Sequence, residues 1–172
     1  MQAVAASSTA MEAVAASSTA MQAVAASSTA MNVILKSSTA RAAICATGTP
    51  NTNLQATRSA LLTTLADTSK FTKVLNSATQ DAGSSFGGAT PAWRTATPAE
   101  LIVVVEKAGP WSSGSGATAM WRHLQDTSYQ VGFSNTGTYN TTVISSNAVC
   151  IGGIQYTESG DAGIIVSAWK AI

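Results

Sequence analysis

Charge is scarce in this chain: only 10% of its 172 residues are Asp, Glu, Lys or Arg, against about 25% in an ordinary soluble domain. Nine basic residues against eight acidic ones leave +1 with the histidine neutral. Without a basic excess or stripe there is no electrostatic footprint for nucleic acid. No apolar run reaches the ~18 residues of a membrane span, so no membrane insertion is expected. The segment at Met1 has no basic stretch before its apolar residues, and Ser-Ser-Thr steps interrupt its alanines, so it does not read as a signal peptide. The two cysteines, Cys45 and Cys150, form no CxxC pair. They suit neither a disulfide framework nor a metal knuckle and read as buried thiols. One histidine, His123, leaves little for a His-based metal site. No cofactor, metal or catalytic residue is assigned from the sequence.

What the chain has is a repeat. MQAVAASSTA (1–10) recurs as MEAVAASSTA (11–20), MQAVAASSTA (21–30) and MNVILKSSTA (31–40), and RAAICATGTP (41–50) keeps an apolar Ile44. Met1 fits the repeat so well that it need not be a natural start, which suggests a piece of a longer chain. Ala, Met and Gln favour helix, whereas Ser-Ser-Thr does not. In a straight helix ten residues turn through ~1000°, so each Met lags its predecessor by ~80°. A decad therefore demands either strong overwinding, as a heptad plus three residues, or an extended step at each Ser-Ser-Thr. Met1, Val4, Met11, Val14, Met21, Val24, Met31 and Ile34 then make a seam too narrow to be buried by one chain, and a copy of the chain is the simplest cover. A self-associating stalk is expected over a disordered linker or a short β-solenoid; the seam does not choose between dimer and trimer.

Gly48 and Pro50 break the first segment. Leu54, Leu61, Leu65 and Leu75, widened by Leu62 and Val74, predict a helix over 54–76. Gly87-Gly88, Pro91 and Pro98 make 77–98 irregular. From Leu101 the pattern turns to short strands. Leu101–Val105 is continuously apolar and suits a strand covered on both faces. Further strands are expected at 117–124, 129–133, 141–145, 148–156 and 162–171. Gly152-Gly153 inside one of them marks a bulge or a close backbone approach. The division is a decad stalk at 1–50, a helical neck at 51–80, a connector at 81–100 and a β-rich head at 101–172. The fold class expected is an elongated homotrimeric fibre, with a coiled-coil-like α-helical stalk followed by an all-β antiparallel sandwich or jelly-roll head.

The MxAVAASSTA decads, followed by a helical neck and a terminal β region, resemble the C-terminal part of a tailed-bacteriophage tail fibre. The decads cover about a quarter of the chain, and the β region matches by layout alone. The resemblance implies a parallel homotrimer on the virion, extracellular, joined to upstream tail-fibre or baseplate proteins. It also implies attachment to a bacterial surface polysaccharide or outer-membrane receptor. The sequence departs from the family in lacking the repeated His-x-His steps that hold axial metal in some fibre tips. It also lacks the long β-helix of enzymatic spikes, so no catalytic or metal residue is carried over.

All the tryptophans and tyrosines lie beyond residue 90. Trp111 sits in a Gly/Ser loop and Tyr139 in the polar hairpin 135–140. Exposed rings beside amides suit a sugar, whose apolar face stacks while its hydroxyls are hydrogen-bonded. Trp111, Tyr139, Asn135, Asn140 and Trp93 are the receptor-binding candidates, whereas Trp121 and Trp169 fit core positions. Two alternatives remain: a purely structural trimerisation segment, and a polysaccharide-degrading enzyme with an intersubunit site. For the second, His123 has no nucleophile frame beside it. Glu100 and Glu106, ~20 Å apart on an extended strand, are too distant for a glycosidase pair.

Overall fold

A computed structural model of the chain describes residues 1–46, 48–80, 94–95, 97–110, 117–125, 130–135, 149–159 and 162–172. Its helices are α1 (Gln2–Ala5), α2 (Ser8–Ala16), α3 (Ser18–Ala25), α4 (Ser28–Lys36), α5 (Ser38–Cys45), α6 (Thr49–Ala56) and α7 (Arg58–Thr64). The decads are therefore interrupted helices. Ser7, Ser17, Ser27 and Ser37 are extended N-caps, and the hydroxyl oxygen of each accepts the backbone N–H of Ala10, Ala20, Ala30 or Ala40. Each serine starts a helix by satisfying a donor that the first turn leaves orphaned, and Ser17 and Ser37 also end the helix before.

The interruption lets the chain coil on itself. Helix α1 packs on α4, α2 on α5 and α3 on α6, while α2 also touches α6 and α3 touches α7. Side chains stitch one layer to the next: the Ser37 hydroxyl donates to the Ala5 carbonyl (2.6 Å), Asn53 Nδ2 to that of Ala15 (2.8 Å) and the Thr64 hydroxyl to that of Ala25 (2.6 Å). Each acceptor is the fifth residue of a decad, at a helix C-terminus where carbonyls lack intrahelical partners.

The same register sets the core. The first decad position, Met11, Met21, Met31, Leu61 and Phe71, is at most 2% exposed, and so is the fifth at Ala5, Ala15, Ala25, Leu35, Cys45 and Leu65. The seam is thus largely buried within one chain, with Met1 45% exposed and Val4 and Val14 half-buried. This overturns the elongated fibre architecture of a coiled-coil-like stalk with a separate all-β head. The physical reason is twofold: the serine caps redirect the chain every ten residues, and the register runs on through Leu65, supplying enough helices for one layer to cover another.

Beyond α7 the chain forms eight strands among the described residues: β1 (Phe71–Gln80), β2 (Arg94–Thr95), β3 (Leu101–Pro110), β4 (Ala117–His123), β5 (Gln130–Asn135), β6 (Val149–Ile151), β7 (Ile154–Ser159) and β8 (Ala162–Ala171). All pairings are antiparallel, in two four-stranded sheets of order β1-β8-β3-β6 and β2-β7-β4-β5. The helix expected over 54–76 is corrected: it ends with α7, and residues 71–80 pair with β8, Phe71 opposite Ala171. The expected strand at 141–145 lies outside the described residues.

The first sheet is covered on both faces, as the apolar run at 101–105 suggested. Ile102, Val104, Val149 and Ile151 join the helical core. The alternate residues Val103, Val105 and Cys150 are equally buried and belong to the opposite face, toward the second sheet. The protein is therefore a mixed fold in three layers: helical coil, sheet, sheet. Gly152 and Gly153 make the corner at which the chain leaves one sheet for the other, with φ of 95° and 86°. A Cβ on Gly153 would lie 2.6 Å from the Pro98 carbonyl oxygen, a close approach that only glycine permits. Their N–H groups both donate to the Leu101 carbonyl, and the Ile154 N–H donates to the Thr97 hydroxyl.

Candidate functional site

The receptor candidates of the sequence fall largely outside this frame. Trp93, Trp111, Tyr139 and Asn140 lie outside the described residues, and Asn135 is the last residue of β5, described in its backbone pairing with Ala117 alone. Trp121 is buried on β4, and Trp169 packs half-buried against the core with Lys73 Nζ 5.0 Å from its ring centroid.

The decad register directs attention elsewhere, to the places where a buried apolar position carries a polar residue. At the first position these are Arg41 and Asn51; at the fifth, Gln55. All three stand where the coil meets the sheets.

Asn51 and Gln55 form a closed joint with His123. Strand β6 is the edge of its sheet, and its outward backbone groups need partners. Gln55 supplies two: the Val149 N–H donates to Oε1 (2.9 Å) and Gln55 Nε2 donates to the Val149 carbonyl (2.7 Å). The Cys45 thiol donates to the Ile151 carbonyl (2.7 Å). This arrangement also fixes a tautomer. Val149 orients the Gln55 amide, whose Nε2 also donates to Asn51 Oδ1 (3.0 Å). The same oxygen lies 2.8 Å from His123 Nε2. An amide oxygen only accepts, so His123 carries its proton on Nε2. With His123 at 0% exposure and edge-on to Trp121, the histidine acts as a bolt between α6 and β4.

The thiols are equally enclosed. Cys45 and Cys150 are buried and neither is in a disulfide. Burial, with the neighbouring Cys45 adding to it, pushes the Cys150 thiol well above its ordinary value, which removes the thiolate that a nucleophile needs. Glu106 lies within β3 and accepts from the hydroxyls of Ser77 (2.8 Å) and Ser167. That tie crosses β1, β8 and β3 at the bulge where Ser77 takes a φ of 48°.

Arg41 is different because its surroundings are open. It is 7% exposed and donates from one Nη to the Leu35 carbonyl, while its Nε has no partner. It lines a cleft of about 410 Å³ between α4, α5 and the end of the first sheet, together with Lys36, Ser38, Glu100 and Lys170. Three of the nine basic residues of the chain thus converge on one cleft against a single carboxylate. Sequence reasoning passed over Arg41; the signal was a charged residue at the decad position otherwise held by Met.

No protein-family model matches the chain, and no curated protein matches it.

Proposed function

We propose that the chain is a tip segment of a tailed-phage fibre that attaches the virion to a bacterial surface, holding a polysaccharide or outer-membrane receptor without converting it. The observation that supports this reading is the joint between coil and sandwich. Lys36 Nζ donates to the Ile172 carbonyl (2.6 Å), Asn32 Nδ2 to those of Lys70 and Ile172 (2.9 and 3.1 Å), and Gln55 and Cys45 close the β6 edge. A coil built in ten-residue steps and tied by these side chains to a β-sandwich is a rigid body suited to holding a binding face at a surface. Of the polar side chains weighed for catalysis, His123 and Glu106 take part in structural hydrogen bonds, while Glu100 is exposed at the Arg41 cleft.

The methionine seam gives no reason for copies of the chain, so the homotrimer rests on the resemblance. Light scattering on the purified chain at micromolar concentration tests it, with a mass of three chains expected from that resemblance. For attachment, labelled protein should bind intact bacteria of at least some strains in a panel. Trp111→Ala and Tyr139→Ala should weaken that binding with melting temperature unchanged. Binding to no strain would sink attachment and favour a structural fibre segment. Release of reducing ends from a polysaccharide would favour the enzyme.

A further inference from the structure

We infer that the cleft floored by Arg41 binds a sugar residue bearing one carboxylate, which makes the receptor class of the proposed attachment an acidic glycan; the receptor half of this statement rests on the attachment reading, the carboxylate half on the cleft itself. A guanidinium nine-tenths buried is costly to keep charged without an anionic partner. Among the described residues no carboxylate pairs with Arg41, and its only hydrogen bond is to the Leu35 carbonyl. Of the equivalent residues, Met11, Met21, Met31 and Leu61 are apolar and buried, and the polar one, Asn51, has its side-chain oxygen engaged by Gln55 and His123. A methionine would complete the seam there, so the charge serves something other than packing.

The rest of the cleft narrows the ligand. Lys36 and Lys170 are exposed at its rim, and Ser38 adds a hydroxyl. A volume of about 410 Å³ exceeds what a bare ion needs and falls among small-molecule sites of about 300–1,000 Å³. Glu100, exposed at the same cleft, accepts hydrogen bonds and repels a dianion. A single carboxylate on a hydroxylated ring satisfies all of these: the carboxylate faces Arg41 and Lys170, ring hydroxyls face Glu100 and Ser38, and the ring's apolar face meets Ala171. Phosphate has the charge but no apolar ring face, and as a dianion it meets Glu100 as a repulsion.

The test titrates the intact chain with glucuronate, glucose and inorganic phosphate, following amide shifts and heat. Saturable binding of glucuronate is expected, with shifts at Arg41, Ser38 and Lys170, and weaker binding of glucose and phosphate. Arg41→Met should lower glucuronate affinity about tenfold or more, the scale of losing charge-assisted hydrogen bonds. Because it restores the residue the decad otherwise carries, it should fold at least as well as the parent. Lys170→Gln, on the exposed rim, should lower affinity by a smaller factor. No saturable glucuronate binding, unchanged binding in Arg41→Met, or tighter binding of phosphate would each overturn the inference. Immobilised uronate-containing and neutral polysaccharides separate it from the attachment reading. Glucuronate binding without retention on any polysaccharide or cell sinks attachment and keeps the carboxylate site. Retention that is equal for Arg41→Met and the parent keeps attachment and removes the cleft as its receptor site.

Discussion

The first three decads and the four that follow obey one register to different ends. In the first three, every buried position is Met, Ala or Val and every cap is Ser, and the result is a coil that could be lengthened without changing its chemistry. In the later ones Ser37 still caps and Thr57 and Asp67 hold the serine position, but beside Met31, Leu35, Leu61 and Leu65 the buried first and fifth positions now include Arg41, Cys45, Asn51 and Gln55. The coil is uniform where it meets itself and individual where it meets the sheets. Repetition here carries packing, and departures from repetition carry connection and, at Arg41, an open charge.

The comparison is broken most severely at Gln55. Gln55→Leu fills the same space but strands the Val149 N–H and carbonyl and releases Asn51. With ~1–3 kcal/mol for each buried group left unsatisfied, a loss of about 4 kcal/mol is expected in urea denaturation. In the uniform half, Met21→Ala removes a side chain that is 1% exposed and should cost about 3 kcal/mol through lost burial and the cavity left behind. Met21→Leu should cost little, since volume and apolarity are kept. If Gln55→Leu proved milder than Met21→Ala, the sheet edge would be a minor element of stability and the coil the major one.

The two halves also differ in what a capping serine does. Ser17 accepts one N–H from Ala20, so Ser17→Ala should cost about 1 kcal/mol. Ser37 accepts from Ala40 and also donates to the Ala5 carbonyl one layer away. Ser37→Ala should therefore cost about 2 kcal/mol. Ser37→Asp keeps the cap acceptor and removes the hydroxyl donor, so in the same denaturation series it should recover part of the loss at most. Full recovery would mean that the stitch between layers contributes nothing.

Much of the local structure was legible in the sequence. The Ser-Ser-Thr interruption, the apolar run at 101–105 and the close approach at Gly153 follow from caps, alternation and sterics, each acting within a few residues. What was hidden is non-local. Leu75 and Val74 extend the 3/4 spacing of Leu61 and Leu65, so they suggested a continuing helix. Their strand exists because β1 pairs with β8, about ninety residues later. The decad register was lost to view after residue 50 because it persists there in role rather than in letters: Asn51 is buried like Met, and Thr57 and Asp67 stand at the serine position. The candidate site was missed for the same reason, since Arg41 stands out only once the first decad position is known to face inward.

Asp67 gives the smallest effect and the finest test of the shared register. It stands where the earlier decads have their capping serine, and its carboxylate accepts the Ser69 N–H (3.0 Å) and hydroxyl (2.6 Å). The Ser69 hydroxyl first, then that of Ser28, with smaller help from the Ser69 N–H and the Lys70 charge, hold the carboxyl below its ordinary 3.8 against an opposing desolvation. The folded state thus binds this proton less readily than the unfolded chain. The contribution of Asp67 is present above the unfolded value near 3.8 and is lost as the pH falls through the lower folded one. Asp67→Asn should unfold at a lower urea concentration than the parent at pH 6, with the gap narrowing below pH 4. A gap that stays constant with pH would mean that the carboxylate charge is irrelevant and that the position, like Ser17, needs only an oxygen.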